Sequence, residues 1–295
     1  MRTLVILNPA AGGQTHAERL RQRLERLIDG DFVNTSEAGE AVSLSSEAAR
    51  TGYDTVIAVG GDGTVREVAT GLHLGGGAPR LGIVPVGTGN DLAFSLGLPL
   101  DVEQAAAVAT GESTVAMDLV RASRPGRSEE QRFLANAAVA GFGGRIGDGM
   151  SPTFRRRLRP IAYPVAALGQ IRDIRPYAVR LEVDGRAIET RALMVIMANG
   201  EYAGGRIRFA PGASTGDGQL DLVIIHAVSA PKLATLIPRV LSGRHAGHKG
   251  VSLYRATSVR IQSETDMWIN LDGDTWQSGP ALFEVVPSAL RVAVP

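Results

Sequence analysis

Residues 54–64 read Asp-Thr-Val-Ile-Ala-Val-Gly-Gly-Asp-Gly-Thr, an apolar block that runs straight into three glycines within four residues. A short apolar run bounded by a glycine turn is the pattern of a buried strand. Val65, Val68, Ala69 and Leu72 then recur at helical spacing, which predicts a helix opening directly on the turn. The same pattern occurs on either side. Leu4–Leu7 leads into Asn8-Pro9 and Gly12-Gly13, followed by Leu20, Leu24, Leu27 and Ile28 at helical spacing from Thr15 to Ile28. Leu81–Val86 leads into Gly87-Thr88-Gly89-Asn90-Asp91 and a further helix. With a strand at Phe32–Val33 and a helix over Glu37–Arg50, strands alternate with helices. That alternation predicts an α/β domain built on a doubly wound parallel sheet covered on both faces.

The texture changes after Gly111. Val115–Arg121, Arg132–Ala140, Ala178–Val183, Ala187–Asn199, Leu220–Ile225, Ser258–Gln262, Met267–Leu271 and Leu282–Val286 are short strand candidates, separated by turns such as Asp184-Gly185 and Asp217-Gly218. They predict a C-terminal β-rich sandwich domain. The polar stretch Ser123–Gln131 is the linker candidate, so the domains are expected at 1–124 and 125–295, with the last residues returning to the first. Two helical interruptions stand out, Ser151–Asp173 and Pro231–Ser242. The first contains the cluster Arg155-Arg156-Arg157-Leu158-Arg159, the composition of an anionic-lipid contact or of a solvated helix face.

Composition narrows the chemistry. The chain has 295 residues, no cysteine, 36 glycines and a net charge of +1. Thiolate metal sites, disulfides and cysteine nucleophiles are therefore excluded, and the balanced charge argues against nucleic acid as partner. The apolar run at Leu4–Leu7 is too short for a signal-peptide core, and no run is long enough to span a bilayer. The expected location is cytoplasmic, at most peripheral on the inner face of the membrane. The five histidines lack ligand spacing beside carboxylates, and His245 and His248 read as exposed.

Glycines in a strand-to-helix turn leave backbone N–H groups uncovered at a helix N-terminus, which is a natural phosphate cradle. An acidic residue inside such a cradle needs a metal or a polar hydroxyl beside it, so Asp62 points to Mg²⁺ or to proton transfer. The plain alternative is a tight turn with Asp62 as helix cap. Loops following successive strands of an open parallel sheet gather at one edge, where ligands bind. Three such glycine turns point to a nucleotide phosphate site. Neither G-x-x-x-x-G-K-[ST] nor G-x-G-x-x-G occurs, so P-loop ATPases and dinucleotide-binding dehydrogenases are disfavoured.

Taken together, Asn8–Gly13 (NPAAGG), Gly60–Thr64 (GGDGT), Gly87–Asp91 (GTGND), Phe133–Gly144 (FLANAAVAGFGG), the run from Gly204 through Asp221 and Leu271–Asp274 (LDGD) resemble the diacylglycerol kinase catalytic-domain family of bacterial lipid kinases and sphingosine kinases. The resemblance covers nearly the whole chain. It implies a nucleotide domain, a β-rich domain and an ATP- and Mg²⁺-dependent transfer of phosphate to a lipid hydroxyl (diacylglycerol-like, phosphatidylglycerol or sphingoid). By the same resemblance Asn8, Thr35, Gly60, Gly61, Asp62, Gly63, Thr64 and Thr88 fall on positions that hold ATP. Asp274 falls on the proton acceptor, with Asp272 and Asp62 beside it. Asp217, with main-chain carbonyls at Ser214 and Gln219, falls on a Mg²⁺ site. The family's acceptor is a glutamate, so Asp274 is one methylene short, a retreat on the order of 1.5 Å in a reaction where about 1 Å of misplacement can cost a hundredfold in rate.

Two alternatives share part of this pattern. NAD kinase also uses GGDGT, but it normally carries a further Asn-Glu/Asp pair, and the GTGND and LDGD blocks fit the lipid kinases better. A non-catalytic nucleotide- or lipid-binding relative is the other. The expected partners are a lipid at a membrane surface and, through edge strands, a second copy as homodimer.

Overall fold

The computed structural model describes residues 1–9, 14–141, 175–276 and 279–295. Residues 10–13, the end of the FLANAAVAGFGG block at 142–144, and the 151–173 interruption with its Arg155–Arg159 cluster lie outside the described residues. The chain forms two compact units, Met1–Asp118 with Pro287–Pro295, and Leu119–Val286.

The first unit runs β1 (Thr3–Leu7), α1 (Gln14–Glu25), β2 (Asp31–Asn34), α2 (Glu40–Arg50), β3 (Thr55–Gly60), α3 (Asp62–Leu74), β4 (Arg80–Pro85), α4 (Asp91–Ser95) and α5 (Val102–Thr110). Its strands lie in the order β2-β1-β3-β4, all parallel. β1, β3 and β4 are buried along their whole length. Such strands need apolar side chains on both faces because helices cover both. Val5, Leu7, Ile57, Val59 and Val84 pack with Leu20 and Leu24 of α1 and Ala105, Ala106 and Ala109 of α5. The alternate strand residues point to the opposite face, where α2 and α3 lie. The order 2-1-3-4 reverses between β1 and β3. In open α/β sheets that reversal opens a crevice at the strand C-termini.

The second unit is antiparallel. Its strands are β5 (Thr114–Arg124, which begins in the first unit), β6 (Arg127–Leu134), β7 (Ala137–Gly141), β8 (Tyr177–Val183), β9 (Arg186–Ala198), the short β10 (Tyr202–Ala203) and β11 (Ile207–Arg208), and β12 (Leu220–His226). Helix α6 (Ala230–Leu241) follows, then β13 (Val251–Ala256), β14 (Ser258–Ser263), β15 (Ile269–Leu271), β16 (Asp274–Trp276) and β17 (Ala281–Ala293, which ends in the first unit). The long strand β9 pairs with β8 along its first half, and with β7 on one side and β12 on the other along its second. Side-chain alternation feeds two cores. Leu222 and Ile224 join Leu181, Met197, Ile261 and Phe283, while Val223 and Ile225 join Ile196, Phe209 and Leu236.

Three expectations are corrected here. Ser123–Gln131 is not a linker: β5 and β6 form a hairpin closed at Pro125-Gly126, with Gly126 at φ 82°. Pro-Gly supplies the turn dihedrals at the two central positions, so its polar, breaker-rich composition marks a turn and nothing longer. Arg132–Ala140 is not one strand but the end of β6 and the start of β7, interrupted at Ala135-Asn136. His245 is fully buried, with its Nε2 2.8 Å from the carbonyl of Phe209, tying the segment after α6 to the loop after β11.

Candidate active site

Four segments of the first unit end at one edge of the parallel sheet. Asn8 follows β1, and its N–H donates to the Val59 carbonyl at 3.1 Å. Its side-chain Nδ2 donates to Thr64 Oγ1, also at 3.1 Å, across the reversal between β1 and β3. Thr35 follows β2, with its N–H on the Leu7 carbonyl at 2.9 Å. Gly61–Thr64 follows β3, and the 87–90 loop follows β4, with the Val86 N–H on the Gly60 carbonyl at 2.9 Å. Asn8, Thr35, Gly60–Thr64 and Thr88, far apart in sequence, thus line a single edge.

The two glycine loops meet backbone to backbone. A Cβ on Gly61 would stand 3.2 Å from the Gly87 Cα, and a Cβ on Gly87 would collide with the Gly61 Cα. A side chain at Gly60 would strike the Thr64 side chain. These glycines are therefore required by close approach, and any larger residue would push the loops apart. Gly61 is the N-cap of α3, and no side chain caps that helix start. Of the first-turn N–H groups of this 13-residue helix, that of Asp62 turns to its own carboxyl; those of Gly63 and Thr64 have no intrahelical acceptor, and the helix dipole favours an anion there.

Asp62 is not the helix cap. Its Oδ1 accepts the Leu92 N–H at 3.2 Å, and a Cβ on Gly89 would lie 2.9 Å from its Oδ2. The carboxyl thus ties the β3 loop to the β4 loop. Burial pushes it above the ordinary carboxylate range, against the pull of the backbone N–H groups of Leu92, Asp91 and Asn90. Asn90, in left-handed geometry at φ 56°, closes its own loop by donating from Nδ2 to the Gly87 carbonyl at 3.1 Å.

In the second unit, LDGD is the two-residue turn of the β15–β16 hairpin. Leu271 pairs with Asp274, while Asp272 (φ 48°) and Gly273 (φ 98°) both take the left-handed conformation such a turn demands. The Asp272 carboxylate is buried and accepts three successive backbone N–H groups, those of Ala135 (2.7 Å), Asn136 (3.2 Å) and Ala137 (2.7 Å). It anchors the hairpin to the break between β6 and β7, the reason the strand is interrupted there. Asp274, two residues on, is exposed at the start of β16. Asn136 and Asn199 fasten the same corner through the Tyr202 and Ala135 carbonyls, both at 2.8 Å.

The 214–219 turn is closed by the Gln219 N–H on Asp217 Oδ1 at 3.1 Å. Arg255, from β13, stands beside it: Nη1 is 3.6 Å from Asp217 Oδ2, Nε is 3.5 Å from Asp221 Oδ1, and Nη2 donates to the Gly212 carbonyl at 3.0 Å. Burial pushes the Asp221 carboxyl up, with Arg255 opposing. The turn's donors are all oxygens, the class Mg²⁺ takes, so the residues fit such an ion. Among the described residues no three His, Cys, Asp or Glu side chains converge as a metal cluster, so a cation here would lean on main-chain carbonyls. Arg255, Asn90 and the 135–137 amides were not singled out from sequence. Asn90 and the amides lay in quoted blocks, but the amides' partner Asp272 lies well over a hundred residues away.

Comparison with known proteins bears on the whole chain. Residues 2–122 match the diacylglycerol kinase catalytic domain, and residues 136–294 match the YegS C-terminal NAD kinase beta sandwich-like domain. The chain is similar to the "Probable lipid kinase YegS-like" of Xanthomonas euvesicatoria pv. vesicatoria (strain 85-10), with 32% identity over 300 residues, covering 99% of this chain and 95% of that one. It is also similar to the diacylglycerol kinase of Bacillus subtilis (strain 168), with 28% identity over 302 residues and coverage of 100% and 96%. A crystal structure of a diacylglycerol kinase from Bacillus anthracis str. Sterne superposes with a TM-score of 0.82 at 25% identity, covering 100% of this chain and 97% of that one.

Proposed function

The chain belongs to the family of lipid kinases that join a diacylglycerol kinase catalytic domain to a YegS C-terminal domain, and from that premise we propose that it transfers the γ-phosphate of ATP, taken with Mg²⁺, to the hydroxyl of a diacylglycerol-like lipid at a membrane surface. The observation that carries the reading is the backbone contact of Gly61 with Gly87 beside an uncapped helix start. Bare amides from two loops converge where an anionic ligand gains most from them.

In this reading the N–H groups of Gly63 and Thr64 and the amides of Gly87 and Thr88 hydrogen-bond the phosphates. Asn8 and Thr35 hold the nucleotide beside them, and Thr64 is oriented by Asn8. Asp62 keeps the two loops in register. The lipid hydroxyl oxygen forms a bond to the γ-phosphorus as the bond to the β-phosphate oxygen breaks, and ADP leaves with that electron pair. The hydroxyl proton passes to the carboxylate of Asp274. Asp272 is a positioning residue: its three backbone hydrogen bonds fix the hairpin that presents Asp274. A catalytic base of this kind contributes about 10²–10⁴ in rate, and the rest comes from positioning and charge neutralisation on the phosphates. Asp217, with the Ser214 and Gln219 carbonyls, would hold a Mg²⁺ ion that adds positive charge and stiffness to that turn.

The test is transfer of terminal label. Purified protein with Mg²⁺ and γ-labelled ATP is offered either a lipid extract or NAD. Label is expected in the organic phase and is lost when Mg²⁺ is chelated. Label on NAD, or on neither acceptor with ATP binding intact, would overturn the proposal.

A further inference from the structure

Between Asp221 and Glu264 the chain carries no acidic residue, yet it carries Lys232, Arg239, Arg244, Lys249, Arg255 and Arg260. Lys232 and Lys249 are the only lysines in the protein. Helix α6 lies at the centre of this stretch. Its inner face, Leu233, Leu236 and Val240, packs against Ile196, Phe209 and Val223, which fixes its rotation. With that face inward, 3.6-residue spacing turns Pro231, Ala234, Pro238 and Leu241 outward, and all four are exposed, Leu241 by 45%. Lys232 and Arg239, seven residues apart, share one flank of this apolar stripe and are exposed; Arg244 and Lys249 continue the positive charge into the following segment and are exposed too.

A helix packed on one side normally turns a polar or charged face to water. This one turns out Pro231, Ala234, Pro238 and Leu241, with Thr235 beside them and the cations Lys232 and Arg239 along one flank. That is the composition of a helix lying in the plane of a membrane interface, with its apolar ridge in the headgroup boundary and its cations on anionic lipid phosphates. We propose that α6, with Arg244 and Lys249, docks the protein on the surface of an anionic phospholipid bilayer. The stretch from 222 to 263 has no acidic residue of its own to repel an anionic surface. The inference rests on the lipid-kinase reading, because a kinase of membrane lipids must reach its acceptor in the bilayer. Docking and transfer can be measured separately.

Vesicle co-sedimentation, without ATP, tests it. The intact protein is expected to partition onto phosphatidylcholine vesicles containing phosphatidylglycerol, to release at high salt, and to bind pure phosphatidylcholine far more weakly. The pair Lys232→Gln and Arg239→Gln lowers partition roughly 30-fold, at about 1 kcal/mol per cation. Leu241→Ser, which leaves the charge intact, lowers it several-fold. Phosphate transfer to diacylglycerol in detergent micelles stays at the wild-type rate in both variants, which shows that fold and active site are intact. Binding indifferent to lipid charge, or unchanged in the variants, would overturn the docking surface while leaving the kinase reading untouched. Equal retention by soluble polyglutamate would overturn the bilayer in favour of an acidic protein partner. Absence of micellar transfer by the wild type would instead count against the kinase reading.

Discussion

Asp272→Ala is expected to lower the stability of the second unit by about 3–5 kcal/mol, because it leaves the buried N–H groups of Ala135, Asn136 and Ala137 without their acceptor. An orphaned buried donor costs its full desolvation, and three lie in a row. Alanine adds strain of its own at φ 48°, a conformation that aspartate and asparagine tolerate. In thermal unfolding the melting temperature should drop by roughly 10 °C. Asp272→Asn, which keeps one acceptor oxygen and tolerates the turn, should fall by less than half as much. A variant at position 272 that melts with the wild type would show that the carboxylate is not the anchor of the hairpin.

Asp274→Asn is expected to do the opposite. The side chain is exposed at the mouth of the same hairpin, so stability should move by no more than about 0.5 kcal/mol. Phosphate transfer should fall by about 10²–10⁴, since the amide cannot take the hydroxyl proton. The loss should appear in kcat, with KM for ATP unchanged, because the nucleotide edge belongs to the other unit. Asp274→Glu lengthens the reach and should retain transfer. Wild-type kcat in Asp274→Asn would remove this residue as proton acceptor. The contrast between positions 272 and 274, one affecting melting and the other rate, separates anchor from base within a four-residue motif.

Much of the first unit was legible because its signals are local. A buried parallel strand reads as a continuous apolar run, and β3 and β4 each end in a turn that the glycines mark. The strand order, and hence the meeting of Gly61 with Gly87, was not local. The doubly wound expectation gathers the loops at one edge but does not say which of them touch. In the second unit most strands were legible, but not their pairing. The missed strands β10, β11 and β16 are only two or three residues long, and β13 breaks its alternation at Leu253-Tyr254, too weak a signal to separate from loop. The Ser123–Gln131 misreading came from composition, which cannot tell a tight Pro-Gly turn from a linker. The two roles within LDGD were indistinguishable in sequence. Asp272 and Asp274 are the same residue type two positions apart, and only the amides of Ala135–Ala137, brought in from β6 and β7, make one of them an anchor.

The account's central claim is that the loops after β3 and β4 hold the nucleotide phosphates on bare backbone amides. Amide hydrogen exchange measured with and without saturating ATP and Mg²⁺ tests it most directly. The expected result is slowed exchange confined mainly to residues 60–66 and 86–92, lost when ATP is replaced by adenosine. If ATP binds, as judged by calorimetry, while those two segments exchange at unchanged rates, the phosphate site lies elsewhere and the claim is wrong.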